Sequence, residues 1–103
     1  MSKERFNLLT DAMNAVSERG SSYGTVEQNF GRIAGLWSVL LEKDVTPAQV
    51  ALCLAALKMA RLIQTPDHRD SWVDLAGYAG CGGEVTYGVE RQSELLGVGE
   101  EAG

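Results

Sequence analysis

The segment from residue 46 to 63 constrains the fold more than any other part of the chain. It begins TPAQ, in which Thr46 caps a helix, Pro47 suits its first position and Gln49 completes a capping box. Over the helix of about 47 to 63 that follows, apolar side chains occupy nearly every side. Other helices must cover such a surface, so we expect this helix to lie at the centre of a bundle.

Two helices are predicted before this segment. Apolar residues spaced by three, four and three positions form one face of the first helix: Phe6, Leu9, Met13 and Val16. A loop rich in Gly and Ser is expected at 19–24. Thr25 and Gln28 then form a capping box for the second helix. Its apolar stripe consists of Phe30, Ile33, Ala34, Trp37, Leu40 and Leu41.

A fourth helix is predicted from about residue 70 into the eighties, after a turn at 64–68, with Asp67 or Asp70 as its cap. Strand signals are weak, and the one β-prone patch lies at 84–88. The sequence therefore predicts an all-α fold, a compact bundle of about four helices in a single domain from 1 to 96. Residues 97–103 are acidic and rich in glycine, which predicts a flexible tail.

The charge balance argues against a nucleic-acid-binding protein. Nine basic residues are scattered among fourteen acidic ones, for a net charge of −5, whereas clustered Lys and Arg bind phosphate backbones. No run of about 18 apolar residues is present, so we expect no membrane span. The N-terminus lacks the apolar core of a signal peptide. We therefore expect a cytoplasmic protein in which Cys53 and Cys81 are reduced thiols in the core.

The fourth helix is unusually rich in glycine, which costs about 1 kcal/mol per residue relative to alanine inside a helix. Ala76, Gly80 and Gly83 fall at positions i, i+4 and i+7, so one face of the helix is nearly bare backbone. Another helix can approach such a face closely. The neighbour is either a helix of the same chain or a helix of a second copy in a symmetric dimer.

Charged residues surround the start of the same helix in the motif HRDSWVD, residues 68–74. Asp70 and Asp74 are four positions apart and share a face near the helix N-terminus. Lys58 and Arg61, three positions apart, interrupt the apolar third helix, where a charge needs a partner or a polar cavity. The four residues are therefore expected to form either a structural ion-pair cluster or the charged wall of a pocket.

Other residues near this motif are candidates for binding a ligand. Tyr23, Trp72 and Tyr78 can stack on a nucleotide base, although aromatic residues are usually packed in the core. His68 lies at the end of the turn beside Arg69 and Asp70, where a lone histidine is more often a turn residue than a ligand. His68 and Arg69 are nevertheless included among the ligand-binding candidates.

Three stretches of the chain carry a resemblance to known proteins: YGTVEQNFGRIAGLW, VALCLAALKMARL and HRDSWVDLAGYAG. Between about residues 19 and 85 the chain resembles a family of short uncharacterised proteins encoded by tailed phages and prophages. More distantly, it is similar to the MazG-type all-α nucleoside triphosphate pyrophosphohydrolases. In that superfamily, carboxylates on two helices bind Mg²⁺, which grips the triphosphate while water attacks and pyrophosphate leaves.

The MazG-type resemblance implies roles for five residues. Glu27, Asp70 and Asp74 match the metal-binding and catalytic carboxylates, and Lys58 and Arg61 match the cations that face the phosphates. The chain departs from the superfamily pattern, which has an ExxE pair on one helix and an ExxD pair on another. Here Phe30 follows Glu27 at the position of the first pair's second acid, and Ser71 stands where an acid would precede Asp74 by three.

Three functions agree with these features. In the first, the chain is an oligomeric phage protein of the host cytoplasm, a Mg²⁺-dependent pyrophosphohydrolase of a (d)NTP or a modified nucleotide. In the second, it binds and sequesters a nucleotide at the interface of a homo-oligomer, a dimer or higher, without catalysis. In the third, it is a structural or host-interaction protein, and the charged residues only hold the bundle together.

Overall fold

The computed structural model describes the backbone of residues 2–95 and the side chains of residues 2–18 and 24–88. It contains four helices: α1 (Glu4–Tyr23), α2 (Val26–Leu41), α3 (Pro47–Gln64) and α4 (Arg69–Leu95). The prediction of an all-α bundle of about four helices is confirmed. The predicted tail at 97–103 and the end of the predicted domain lie outside the described residues.

Two capping boxes set the starts of α2 and α3, as predicted. The Gln28 backbone N–H donates to Thr25 Oγ1 at 3.1 Å, and the Thr25 N–H donates to Gln28 Oε1 at 3.0 Å. Thr46 and Gln49 form the same pair of bonds at 3.1 and 2.9 Å. Each box satisfies backbone donors that the first turn of a helix leaves without an internal partner.

The predicted loop at 19–24 is wrong, because α1 continues through these residues to Tyr23. Glycine and serine weaken a helix without forbidding it. The chain turns only at Gly24, whose φ of +84° is readily available to glycine, and the capping box at Thr25 follows at once. The β-prone patch at 84–88 likewise lies inside α4.

The centre of the bundle is α4, and the prediction that α3 would be central is wrong. Helix α4 packs against all three other helices, most extensively against α3, whereas the backbones of α1 and α3 do not approach each other closely among the described residues. One side of α3 therefore has no neighbour in the described part of the chain. Leu52, Leu57 and Ile63 on this helix are exposed to solvent.

The hydrophobic core is small and lies where α2, α3 and α4 meet. It consists of Phe30, Ala34, Val50, Ala51 and Cys81, with partly buried residues such as Ile33, Trp37 and Tyr78 packed around it. The expected core position of Cys81 is confirmed, but Cys53 is exposed.

The predicted apolar face of α1 points mostly to solvent. Phe6, Leu9 and Met13 are each more than half exposed, and only Val16 of this face packs against the core. Among the described side chains of α1, Ala12 is the buried one instead. At the end of α2, Leu40 and Leu41 are also exposed. The period of three to four correctly indicated helices, but not which part of each stripe a neighbour covers.

Two glycines of α4 allow close helix packing, and they are not the predicted set. A Cβ atom on Gly82 would stand 3.2 Å from Ala51 Cβ of α3, and one on Gly77 would stand 3.3 Å from Val16 Cγ2 of α1. By contrast, outside the neighbouring backbone of α4 itself, no atom of the described residues lies within 4 Å of a Cβ on Gly80 or Gly83. The face formed by Ala76, Gly80 and Gly83 is thus not explained by packing within the described chain.

Across the described residues, no helix combines the length and the apolar character that crossing a membrane requires.

Candidate functional site

The HRDSWVD motif forms the join between the α3–α4 turn and the first turns of α4. The helix begins at Arg69, directly after His68, so neither Asp67 nor Asp70 occupies the predicted capping position. His68 Nδ1 and the hydroxyl of Ser71 share a hydrogen bond of 2.7 Å, and Ser71 is fully buried. The indole N–H of Trp72 donates to the Pro66 carbonyl at 2.8 Å, which ties the helix back to the turn.

Arg69 connects the motif to α1. Its Nε donates to Glu4 Oε1 at 2.8 Å, and its Nη2 lies 2.8 Å from Asp11 Oδ2. The hydrogen bonds to Glu4 and then Asp11 raise the pKa of Arg69 above its ordinary value, so the side chain stays protonated. Because the guanidinium can serve two acids at once, Arg69 holds two turns of α1 against the start of α4.

Lys58 and Asp74 connect α3 to α4. Lys58 Nζ lies 3.0 Å from Asp74 Oδ2, and the two side chains are 23% and 40% exposed. This meeting of a predicted phosphate-binding residue and a predicted metal-binding residue agrees with the ion-pair alternative of the sequence analysis. A ligand that needed either charge would have to compete with the partner already in place.

Arg61 and Asp70, which neighbour this pair along α3 and α4, are exposed to solvent. Arg61 follows Lys58 by one helical turn, and Asp70 precedes Asp74 by one turn. Among the described side chains, neither has an ion pair or hydrogen bond. They are the charges of the predicted cluster that are available to a ligand.

Glu27 lies far from the two aspartates. Its Oε1 is 3.5 Å from the position of a Cβ on Gly88, which is 14 residues beyond Asp74 on α4. At 1.5 Å per residue, this separation is about 21 Å along the helix. Within the described residues, no group of three or more His, Cys, Asp and Glu side chains is placed to hold a metal ion.

The aromatic candidates do not surround the charged residues. Trp72 and Tyr78 both line an apolar groove between α3 and α4, and Tyr78 also borders a cavity of about 30 Å³ beside Asp74. That cavity is too small for a nucleotide base. The side chain of Tyr23 lies outside the described residues.

The groove between α3 and α4 was not predicted from the sequence. It has a volume of about 590 Å³ and is lined by residues of both helices together with Leu8 of α1. Its largest exposed side chains are Leu52 and Met59 on α3 and Trp72 and Tyr87 on α4. None of the described residues that line it carries a charge. The nearly all-round apolar character of α3 was the signal that one of its sides needs a further neighbour.

A second apolar groove lies on the other side of α4, against α1. It has a volume of about 400 Å³, and its walls include Leu9 and Met13 of α1 and Ala76 and Gly80 of α4. Glu84 is the charged residue among the described residues that line it. Helix α4 is therefore flanked by apolar grooves on both sides.

A comparison with protein families identifies the chain. Residues 7–86, which run from the first turns of α1 past the middle of α4, match the family described as a domain of unknown function, DUF6378. The chain belongs to this family. The matched region contains HRDSWVD and most of the residues that line both grooves, so these features are part of the DUF6378 domain.

Two similar proteins come from mycobacteriophages. The Gene 55 protein of Mycobacterium phage D29 is 42% identical over 76 residues, which are 73% of this chain and 50% of that protein. The Gene 55 protein of Mycobacterium phage L5 is 38% identical over 76 residues, 72% of this chain and 49% of that protein. This DUF6378 chain thus spans about half the length of the two relatives. The predicted relation to phage proteins is confirmed, and no solved structure matches the chain.

Proposed function

We propose that this homologue of phage Gene 55 proteins is a non-catalytic interaction protein whose α3–α4 groove receives an apolar helix of a protein partner. The observation that carries this proposal is the groove itself, which holds Leu52, Met59, Trp72 and Tyr87 in water without a charged neighbour in its described walls. A large, contiguous apolar surface that a single chain leaves exposed to water usually marks a site of interaction with another molecule.

The contacts of the HRDSWVD motif indicate that its residues hold the helices together. Every residue of the motif except Asp70 is buried or bonded within the chain, through the contacts of His68, Arg69, Trp72 and Asp74 described above. These bonds hold α4 against α1 and α3. They thereby set the width of the groove that α3 and α4 enclose.

The shape of the groove suits a helix better than a nucleotide. An amphipathic helix binds such a groove through apolar side chains spaced three to four positions apart, without a need for charge in the floor. The triphosphate of a nucleotide carries several negative charges and needs basic groups or a metal ion beside it. Lys58 and Arg61 do not line the groove.

A second candidate function is nucleotide binding, in the manner implied by the resemblance to MazG-type proteins. The observation that favours it is that Arg61 and Asp70 have no ion pair among the described side chains, while each lies one helical turn along its helix from a member of the Lys58–Asp74 pair. In this proposal Arg61 and Lys58 contact phosphate. The Mg²⁺-dependent hydrolase version also requires Glu27 to join Asp70 and Asp74, and the separation along α4 does not fit one metal site within a single chain.

One experiment separates these proposals. The purified protein is incubated with ribo-, deoxyribo- and cyclic nucleotides, with Mg²⁺ or with EDTA, and then ultrafiltered and analysed by anion-exchange chromatography. We expect no retained nucleotide, no product and no shift in melting temperature. Formation of monophosphate and pyrophosphate that Asp74→Asn abolishes would establish the hydrolase instead.

The same assay also detects a binding protein without activity. Intact nucleotide retained at about one per site, and lost in Arg61→Met, would support nucleotide sequestration and contradict the interaction function. Arg32→Met is the matched control, because Arg32 is an exposed cation on α2 at a distance from HRDSWVD in the sequence. Circular dichroism verifies that each variant keeps its helical content.

A further inference from the structure

We infer that the partner helix of the α3–α4 groove is α4 of a second copy of this chain, in a two-fold dimer with the two α4 helices crossing antiparallel. The inference rests on the proposed use of the groove as a helix-binding surface. It adds the identity of the partner, the symmetry of the complex and the residues at its axis.

The outward face of α4 is an uninterrupted apolar stripe. Its members recur at helical spacing and carry no charge: Trp72, Ala76, Ala79, Gly80, Gly83 and Tyr87. Trp72 and Tyr87 are 44% and 66% exposed, and open space surrounds the Cβ positions of Gly80 and Gly83. The small residues lie in the middle of the stripe and the aromatic residues at its two ends.

This order of residues is self-complementary. The midpoint between Trp72 and Tyr87 falls between Ala79 and Gly80. In a two-fold interface, every contact between positions i and j is repeated between j and i. An antiparallel crossing centred on Ala79 and Gly80 therefore places Trp72 of each chain beside the partner subunit's Tyr87. Small residues at the centre let the two helix axes approach to the short end of the usual 8–10 Å range.

The grooves beside α4 offer room for the large side chains of a second copy. One groove exposes Leu52 and Met59 of α3, and the other exposes Leu9 and Met13 of α1. A second α4 laid across the first covers part of both grooves. The same contact also explains why the apolar face predicted for α1 is directed outward in the single chain.

The two grooves lie on opposite sides of α4, one against α3 and the other against α1. A second copy presents its own α1 and α3 together with α4, so it can cover both grooves at once. A single foreign helix would cover the α3–α4 groove but leave the α1 side of α4 in water.

The test measures the mass of the full chain by sedimentation velocity and light scattering over a wide range of concentration. We expect a particle of twice the chain mass. Gly80→Glu should convert it to a monomer of unchanged helical content, because the new side chain has open space in the single chain but a charge at the proposed axis. Gly31→Glu is the matched control: Gly31 is an exposed glycine on α2 with open space around it, and this variant should remain dimeric.

A cross-linking experiment tests the symmetry. In a Cys53→Ser background, Gly80→Cys should form a disulfide between chains on mild oxidation, since two copies of residue 80 meet near the axis. Gly31→Cys in the same background should not. Cys81 is buried and common to both variants.

The results distinguish failure of this inference from failure of the proposed function. A wild-type chain that is monomeric throughout, or a Gly80→Glu variant that is as dimeric as wild type, overturns the inference. If the monomer also neither binds nor cleaves nucleotides, the groove remains a surface for a different helix. A dimer that hydrolyses nucleotides contradicts the proposed function and leaves the dimer in place.

Discussion

Lys58 Nζ and Asp74 Oδ2 lie 3.0 Å apart, in an ion pair that ties the middle of α3 to the start of α4. Both residues belong to the set that the sequence analysis assigned to phosphate and metal. Their contact means that the charges of Lys58 and Asp74 neutralise each other when no ligand is bound. Both side chains keep partial contact with solvent, so the pair is moderate in strength and remains open to competition.

The energy of this pair can be measured by a double-mutant cycle with Lys58→Met and Asp74→Asn. We expect a coupling of about 1 kcal/mol in urea unfolding at low salt, because one partner is 40% exposed and screening limits the attraction. The coupling should fall as salt is added. Arg61→Met combined with Asp74→Asn is the control and should show additive effects. A coupling near zero would make the contact incidental.

We expect loss of the Arg69 contacts to loosen α1 locally, with little effect on the other helices. Arg69→Lys keeps the charge but loses the fork that serves Glu4 and Asp11 together. We expect faster amide hydrogen exchange in α1 and unchanged exchange in α3. Arg32→Lys on α2 is the control. Equal exchange in α1 for both variants would show that Arg69 does not act as a clamp.

Two glycines of different surroundings should respond in opposite ways to alanine. Gly31→Ala adds a methyl group in open space and should raise the free energy of unfolding by about 0.5–1 kcal/mol. In Gly82→Ala the same gain is opposed by the contact with Ala51 Cβ at 3.2 Å, and we expect a net loss of about 1 kcal/mol. Thermal and urea unfolding test both variants. Equal stabilisation would contradict close packing of α3 and α4 at Gly82.

The buried hydroxyl of Ser71 should stabilise the start of α4. Removing it in Ser71→Ala takes away the hydrogen bond to His68 and should cost about 1 kcal/mol in urea unfolding. His68→Ala added to Ser71→Ala should cost little more, since both variants lose the same bond. Ser17→Ala, at an exposed position on α1, is the control. Fully additive losses would indicate that the two side chains act separately.

The sequence alone was sufficient for the order of the helices and for the starts of α2 and α3, but not for the cap of α4. Thr25 with Gln28 and Thr46 with Gln49 act on backbone groups only three positions away, so these starts can be read from a few neighbouring residues. The end of α1 was missed, because a loop was inferred from composition at 19–24 while the backbone turns only at Gly24.

The candidate site was predictable only in part. From their spacing, Lys58 and Arg61 on one helix were expected to meet Asp70 and Asp74 on another. In the structure one such pair forms, Lys58 with Asp74. The partners of Arg69 lie on α1, and Glu4 is 65 positions away in the chain. No local pattern specifies a contact over that distance.

Local hydrogen bonds and periodicity in the sequence determined that this chain forms four amphipathic helices with defined beginnings. Only the tertiary structure decided that α4 lies at the centre, that Leu9 and Met13 face outward and that two apolar grooves flank α4. The reason is physical. An apolar stripe requires that a helix be covered, but the geometry of all neighbouring helices together decides which part is covered and which part is left for a partner.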